Sequence, residues 1–262
     1  MKTVVITGST RGIGAGLAKE FLGLGCRVVI SGRTDESVAM ALASMNGDYG
    51  SDRAIGIPCD VAVCEDVQAL WDQSVEAFGP IDIWINNAGI SHPQLKPWEQ
   101  SLDRTKAIVD TNILGSFYGA RVAITGMLAQ RHGSLYNLEG LGSAGRHVPG
   151  TTLYATTKAA IRYFTDALVL ETKGTPVVIG AISPGMVMTD LILEGLDQTD
   201  PDWPRAKRVF NILADRVETV TPWIAKQVLA NTKSGVRINW LTPFRAFSRF
   251  ALAPFSKRDL FA

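Results

Sequence analysis

Cysteine is scarce in this chain: Cys26, Cys59 and Cys64 are the only three, an odd set without CxxC spacing. That argues against a disulfide framework or a cysteine zinc site and for incidental thiols in a reducing compartment. Histidine is equally rare, and His92, His132 and His147 are scattered without metal-ligand spacing, so no metal site and no catalytic histidine is expected. An excess of one charge is missing too: 26 Lys and Arg against 25 Asp and Glu leave a net charge of +1, which gives no reason to expect nucleic acid as a partner. No apolar run reaches the ~18 residues of a membrane span. A Pro/Gly-rich linker and an internal repeat are absent as well. The first strand, Lys2 to Thr7, begins so early that no leader peptide is expected and a cytoplasmic location is.

What is present is alternation. Short apolar runs at Val4–Ile6, Val28–Ile30, Ala54–Pro58, Ile81–Ile85, Ser134–Leu138, Val177–Ile182 and Val236–Asn239 are separated by longer segments of helical period. This predicts an α/β fold, a doubly wound parallel seven-stranded sheet with helices on both faces, in one domain over residues 1–262. Ligands of such sheets sit beyond the carboxyl ends of the strands. The segment from Met186 to about Asp215 breaks the alternation; it carries Leu191, Ile192, Leu193 and Leu196, then turns polar around Pro201 to Pro204. A long insertion at the ligand edge predicts a substrate lid at 186–215.

Two motifs carry most of the functional signal. The turn Thr7-Gly8-Ser9-Thr10-Arg11-Gly12-Ile13-Gly14 follows an apolar strand and opens a helix. Its glycines let backbone approach a pyrophosphate, and the new helix aims free N–H groups and its positive dipole end at the anion. Tyr154 and Lys158 stand one helical turn apart on one face. A phenol titrates at roughly 10, and a neighbouring ammonium is expected to lower that value and make a general acid. At the end of the second strand, Ser31, Gly32 and Arg33 stand where an NAD site carries an acidic residue; Arg33 and Arg11 suit a 2′-phosphate instead. Asp60-Val61 follows the third strand, Asn86-Asn87-Ala88-Gly89 the fourth, and Ser183-Pro184-Gly185 the sixth, while Asn112 lies within the helical stretch 99–130.

This ordered set, spread over nearly the whole chain, resembles the short-chain dehydrogenase/reductase family. The resemblance implies an NADPH/NADP cofactor on a Rossmann fold. It assigns cofactor contacts to Gly8, Ser9, Thr10, Arg11, Gly12, Ile13, Gly14, Ser31 and Arg33, to Asp60 and Val61 at the adenine, and to Asn87, Ala88 and Gly89. Pro184, Gly185, Val187 and Thr189 complete the set. It further implies that Lys158 binds ribose hydroxyls while lowering the pKa of Tyr154, that Asn112 holds a water in a proton relay, and that the protein is a homo-oligomer, a dimer or tetramer.

One departure stands out. The family has a serine thirteen residues before the tyrosine; here Leu141 occupies that place, with Gly140 beside it. Ser143, flanked by Gly142 and Gly145, is the nearest hydroxyl and the expected second donor to a substrate carbonyl. The loop Glu139-Gly140-Leu141-Gly142-Ser143, the run Ser183 to Leu191, and Ile238-Asn239-Trp240-Leu241-Thr242-Pro243 resemble the chlorophyll b reductase branch. That implies reduction of the 7-formyl group of chlorophyll b, or its phytol-free form, to hydroxymethyl. Two alternatives stay open: another apolar carbonyl or alcohol as substrate, such as a steroid or acyl chain, and a silent NADP-binding regulatory protein. The tail at 241–262, with Phe244, Phe247, Phe250 and Phe255 among Arg245, Arg249, Lys257 and Arg258, is expected to pack over the pocket, against a partner subunit, or on a membrane surface. Trp84 is expected in the core.

Overall fold

The computed structural model of the chain describes residues 1–50, 52–194, 199, 201–256 and 258–261. Strand and helix alternate from the start: β1 (Thr3–Ile6), α1 (Gly12–Gly23), β2 (Arg27–Gly32), α2 (Asp35–Tyr49), β3 (Ala54–Pro58), α3 (Cys64–Phe78) and β4 (Ile83–Asn86). Then come α4 (Leu102–Val109), α5 (Gly115–Gln130), β5 (Gly133–Leu138), α6 (Thr152–Glu171) and β6 (Val177–Ser183). The remainder holds β7 (Val187–Met188), α7 (Asp190–Leu193), α8 (Trp203–Leu213), β8 (Asp215–Arg216), α9 (Val217–Ala230), β9 (Arg237–Asn239) and α10 (Pro243–Leu252).

The seven-stranded sheet runs β3-β2-β1-β4-β5-β6-β9, and every pairing is parallel. The expected doubly wound sheet is therefore the observed one. Strand order reverses between β1 and β4, which opens a crevice at their carboxyl ends. Parallel strands buried on both faces need apolar residues pointing both ways, and β1, Thr3–Ile6, is buried along its whole length. One face packs Val4 and Ile6 with Leu17, Phe21 and Ile224; the other packs Val5 with Leu70, Trp71, Trp84 and Met127. Trp84 is fully buried, and its indole N–H donates to Asn86 Oδ1 at 2.7 Å.

Strand edges differ slightly from the sequence reading: β4 starts at Ile83 and the last strand at Arg237. The helical stretch around 99–130 is not continuous. A π turn at Asp110–Leu114 separates α4 from α5 and contains Asn112, an irregularity that tends to mark functional sites. The 186–215 segment, expected as a lid, has an unforeseen base, because β7 and β8 pair with Val187 opposite Asp215 and Met188 opposite Arg216. The polar stretch near Pro201–Pro204 starts α8, since proline is tolerated in a helix's first turn. Leu196 lies outside the described residues, as does Lys257 of the tail.

Candidate active site

A cleft of about 750 Å³ lies along the carboxyl edge of β1, β4, β5 and β6. At one end it is walled by the glycine turn. Gly8 has φ +61°, and a Cβ there would come within 2.8 Å of Ala88 Cα, so only glycine fits between the turn and the loop after β4. Thr7 and Asn87 lock the two together: Asn87 Nδ2 donates to Thr7 O (2.8 Å) and Gly8 O (2.9 Å), while Asn87 N and Ala88 N both donate to Thr7 Oγ1. Arg11, at the capping position of α1, makes no side-chain cap, which leaves the first N–H groups of that helix aimed at the cleft. This cradle fits the pyrophosphate of a nicotinamide dinucleotide.

Several residues assigned to cofactor contact stand behind the lining instead. Ser9 and Ser31 are fully buried; Ser9 Oγ donates to Ile6 O (2.7 Å) and accepts from Ser31 N (2.9 Å), tying β1 to β2. Asp60 Oδ1 accepts from Ala62 N (3.0 Å), so its carboxylate holds a turn while Val61 lines the cleft. Thr10, Gly12, Ile13, Gly14, Arg33, Gly89, Pro184, Gly185, Val187 and Thr189 all line it. Arg11 and Arg33 both line the cleft; Arg11 Nη1 sits 3.4 Å from Glu194 and 3.6 Å from Asp190, both on or beside α7, whereas Arg33 has no ion pair among the described residues.

The chemistry-bearing end is built by α6 and the loops after β4 and β5. Tyr154 and Lys158 line the cleft one turn apart, and Lys158 is buried. Lys158 Nζ donates to Leu138 O at 3.0 Å and lies 5.8 Å from the centre of the Tyr154 ring. Burial pushes the Lys158 ammonium down to about 8, against the opposing charge of Glu139. Burial also pushes the Tyr154 phenol up to about 12. The expected lowering of the phenol by its lysine neighbour is thus not found, because desolvation dominates.

Ser143 requires a second correction. Its hydroxyl donates to Lys158 O (3.0 Å) and accepts from Gly140 N (3.1 Å), and it is buried behind the lining. It braces the loop rather than facing a carbonyl. The residue that faces the phenol is Gly140, where a Cβ would fall 2.8 Å from Tyr154 Oη. Counting thirteen residues back pointed to Leu141; the geometry puts Gly140 in the place beside the acid.

Asn112 is clamped by three bonds. Its Oδ1 accepts from Ile90 N (2.9 Å), and Nδ2 donates to Ile90 O (3.0 Å) and Thr157 Oγ1 (3.1 Å). Thr157 Oγ1 in turn donates to Tyr154 O (2.7 Å). The side chain thereby joins the loop after β4 to the helix that bears the acid.

Sequence reasoning missed two further residues. Glu139, with its side chain 1% exposed, lines the cleft and accepts from Arg237 Nε at 2.7 Å. His92 is buried, lines the cleft and accepts from Tyr154 N through Nε2 at 3.1 Å. Their partners lie 98 and 62 residues away in the chain, so no local spacing announces them.

The far wall is apolar: Leu141, Met186, Leu191, Ile192, Phe210, Leu213 and Leu241. Behind it, Asp215 anchors the tail to the lid. Arg249 Nη1 lies 2.8 Å and Arg258 Nη2 2.8 Å from its carboxylate, and Trp240 Nε1 donates to it at 2.7 Å. Burial raises the Asp215 carboxyl, but the bonds from Arg249, Trp240 and Arg258 outweigh it and hold the group below its ordinary value. The tail arginines therefore face inward, with Arg245 stacked 4.0 Å from the Trp240 ring centre, while Phe244, Phe247 and Phe255 are exposed. No helix among the described residues is long and apolar enough to cross a membrane.

A parallel sheet with a glycine cradle at its switch point and a tyrosine–lysine pair on the sixth helix defines a nucleotide-binding α/β protein equipped for proton transfer. Comparison with known proteins sharpens the class: the short chain dehydrogenase pattern matches residues 2–198, and the chain belongs to that family. A probable chlorophyll(ide) b reductase, chloroplastic, of Arabidopsis thaliana is 36% identical over 263 residues, covering 93% of this chain and 51% of that protein. The chain thus spans about half the length of this relative. A chlorophyll(ide) b reductase, chloroplastic, of Oryza sativa subsp. japonica is 37% identical over 255 residues, covering 94% of this chain and 73% of that protein. Among solved structures, a serine dehydrogenase complexed with NADP+ superposes with a TM-score of 0.76 at 26% identity, over 90% of this chain and 92% of that one.

Proposed function

We propose that this chain is an NADPH-dependent carbonyl reductase acting on an apolar formyl pigment, reducing the 7-formyl group of chlorophyll b or chlorophyllide b to hydroxymethyl. The observation that carries the reading is Gly140. A Cβ there would fall 2.8 Å from Tyr154 Oη and 3.3 Å from Lys158 Cγ, so only glycine lets the phenol lie close against this loop, and Tyr154 lines the cleft in reach of a formyl group held on a bulky ring. The apolar wall from Leu141 to Leu241 suits such a ring, and the similarity to the two plant reductases supports the same substrate class.

When bound, the reduced nicotinamide supplies the hydride. Gly8, Gly12, Gly14 and the start of α1 hold the pyrophosphate, Arg33 the 2′-phosphate, and Lys158 the ribose hydroxyls. Tyr154 would give its proton to the carbonyl oxygen as the carbonyl carbon gains hydride, so the C=O π bond is replaced by new C–H and O–H bonds while the C–O single bond stays. Lys158, held charged by Glu139, stabilises the phenolate that remains. Asn112 and Thr157 keep the acid in register with the cleft floor. The outward phenylalanines of α10 rest on a lipid surface, and copies of the chain assemble as a homo-oligomer.

The test is hydride transfer followed at 340 nm and by pigment absorption, with NADPH or NADH against chlorophyll b, chlorophyllide b, small aldehydes and steroid ketones. Hydroxymethyl pigment formed with NADPH supports the reading. Turnover confined to small aldehydes or steroids replaces the substrate, and cofactor binding without turnover on any of them means a silent regulatory protein.

A further inference from the structure

The start of α6 lacks the cap it would be expected to have. A helix leaves its first N–H groups without internal partners, and a side chain at the capping position ordinarily satisfies one of them. Thr151 occupies that position but makes no cap, and its hydroxyl donates to Val148 O at 2.7 Å. The first internal bond of the helix is Ala155 N to Thr151 O, at 2.9 Å. Tyr154 N falls just before it and donates to His92 Nε2 at 3.1 Å. On the other side of the ring, Nδ1 lies 2.7 Å from Pro93 O, which can only accept. The ring proton therefore sits on Nδ1, leaving the Nε2 lone pair for the tyrosine. Gln100 sets its amide against the same edge, 2.9 Å from Nδ1 and 3.2 Å from Pro93 O.

His92 also ends a short strip of chain that touches each part of the site. Asn87 holds the glycine turn, Ile90 holds Asn112, and His92 holds Tyr154. The phenol is thereby referenced to the floor on which the cofactor lies.

We propose that His92 is the positioning residue of Tyr154, capping α6 in place of Thr151 and fixing the backbone from which the acid projects. This rests on the reading of Tyr154 as proton donor, so the test reads the cap and turnover separately. In the 15N-labelled full chain, amide exchange at Tyr154 and the ring-nitrogen shifts of His92 are measured for wild type, His92→Phe and His92→Gln. Phenylalanine fills the space without an acceptor, whereas the glutamine oxygen can accept. Exchange at Tyr154 should accelerate about tenfold in His92→Phe and return toward wild type in His92→Gln. Turnover of the substrate found in the panel above should fall about ten- to hundredfold in His92→Phe, through kcat and with the cofactor KM unchanged, and recover in His92→Gln.

Wild-type exchange and kcat in His92→Phe, or equal damage in both variants, would overturn the proposal. If His92→Phe does not fold, wild-type ring shifts that place the proton on Nε2 overturn it on their own. Exchange that responds as stated in a protein that reduces no carbonyl upholds the cap and removes the reductase reading instead.

Discussion

The floor of the cleft and its lid are held by different physics. Between Asn86 and His92, buried or part-buried bonds to backbone or side-chain atoms fasten β5, the glycine turn, Asn112 and Tyr154. The 186–215 segment meets the glycine turn through ion pairs of Arg11 with Asp190 and Glu194, whose side chains are about three-fifths exposed. A buried hydrogen bond whose partner is removed leaves a polar group stranded, whereas an exposed ion pair is screened and contributes little. The floor bonds therefore hold geometry more firmly than the exposed ion pairs hold the 186–215 segment above them.

The largest effect should come from the floor's reacting group. Tyr154→Phe removes the transferable proton and should lower turnover by roughly 10³, with the cofactor dissociation constant unchanged by titration. A normal rate would dissolve the comparison at its centre.

Next comes Asp215, a buried anchor of the 186–215 segment. Asp215→Asn leaves Arg249 and Arg258 facing a neutral amide, and breaking a buried pair costs about 3 kcal/mol. The melting temperature should drop while single-turnover hydride transfer, measured on the folded protein, holds. A loss of the chemical step without a loss of stability would show that lid and floor are one unit.

A smaller effect is expected in pH dependence. Lys158 loses its charge as pH rises through about 8, so cofactor affinity and turnover should decline on the alkaline side. Glu139 opposes that loss, and Glu139→Gln should move the decline to lower pH. The stability trend has the opposite sense. The unfolded chain keeps the lysine proton up to about 10.5 and the folded one only to about 8, so the contribution of Lys158 to stability increases with pH across that window. An alkaline limb identical in wild type and Glu139→Gln would remove Glu139 from the site.

The smallest change belongs to the lid's surface contact. Asp190→Asn and Glu194→Gln should each shift stability by less than about 1 kcal/mol. They should tighten cofactor binding slightly by freeing Arg11, and added salt should erase the difference.

What could be read in the sequence follows the same division. The sheet was legible because buried parallel strands need apolar runs, and the glycine turn because only glycine tolerates φ of +61° against Ala88. The Tyr154 and Lys158 pair was legible because helical spacing puts both on one face. Their electrostatics was not: spacing says that two groups are near, but burial shifts both, opposed at Lys158 by Glu139. Ser143 was misread because a count along the chain ignores how the loop turns. The ion pairs of Arg11 were not foreseen because their partners arrive 179 and 183 positions later. His92 escaped because an acceptor for a backbone N–H leaves no mark on sequence.

The strip from Asn86 to His92 has a consequence for how such an enzyme can change. Its partners lie in β5, the glycine turn, the π turn and α6, so adding or deleting one residue would put all of them out of step together. Change that keeps the strip's length keeps the glycine turn, the π turn and the phenol in step, and the strip is in that sense the measuring rule of the site.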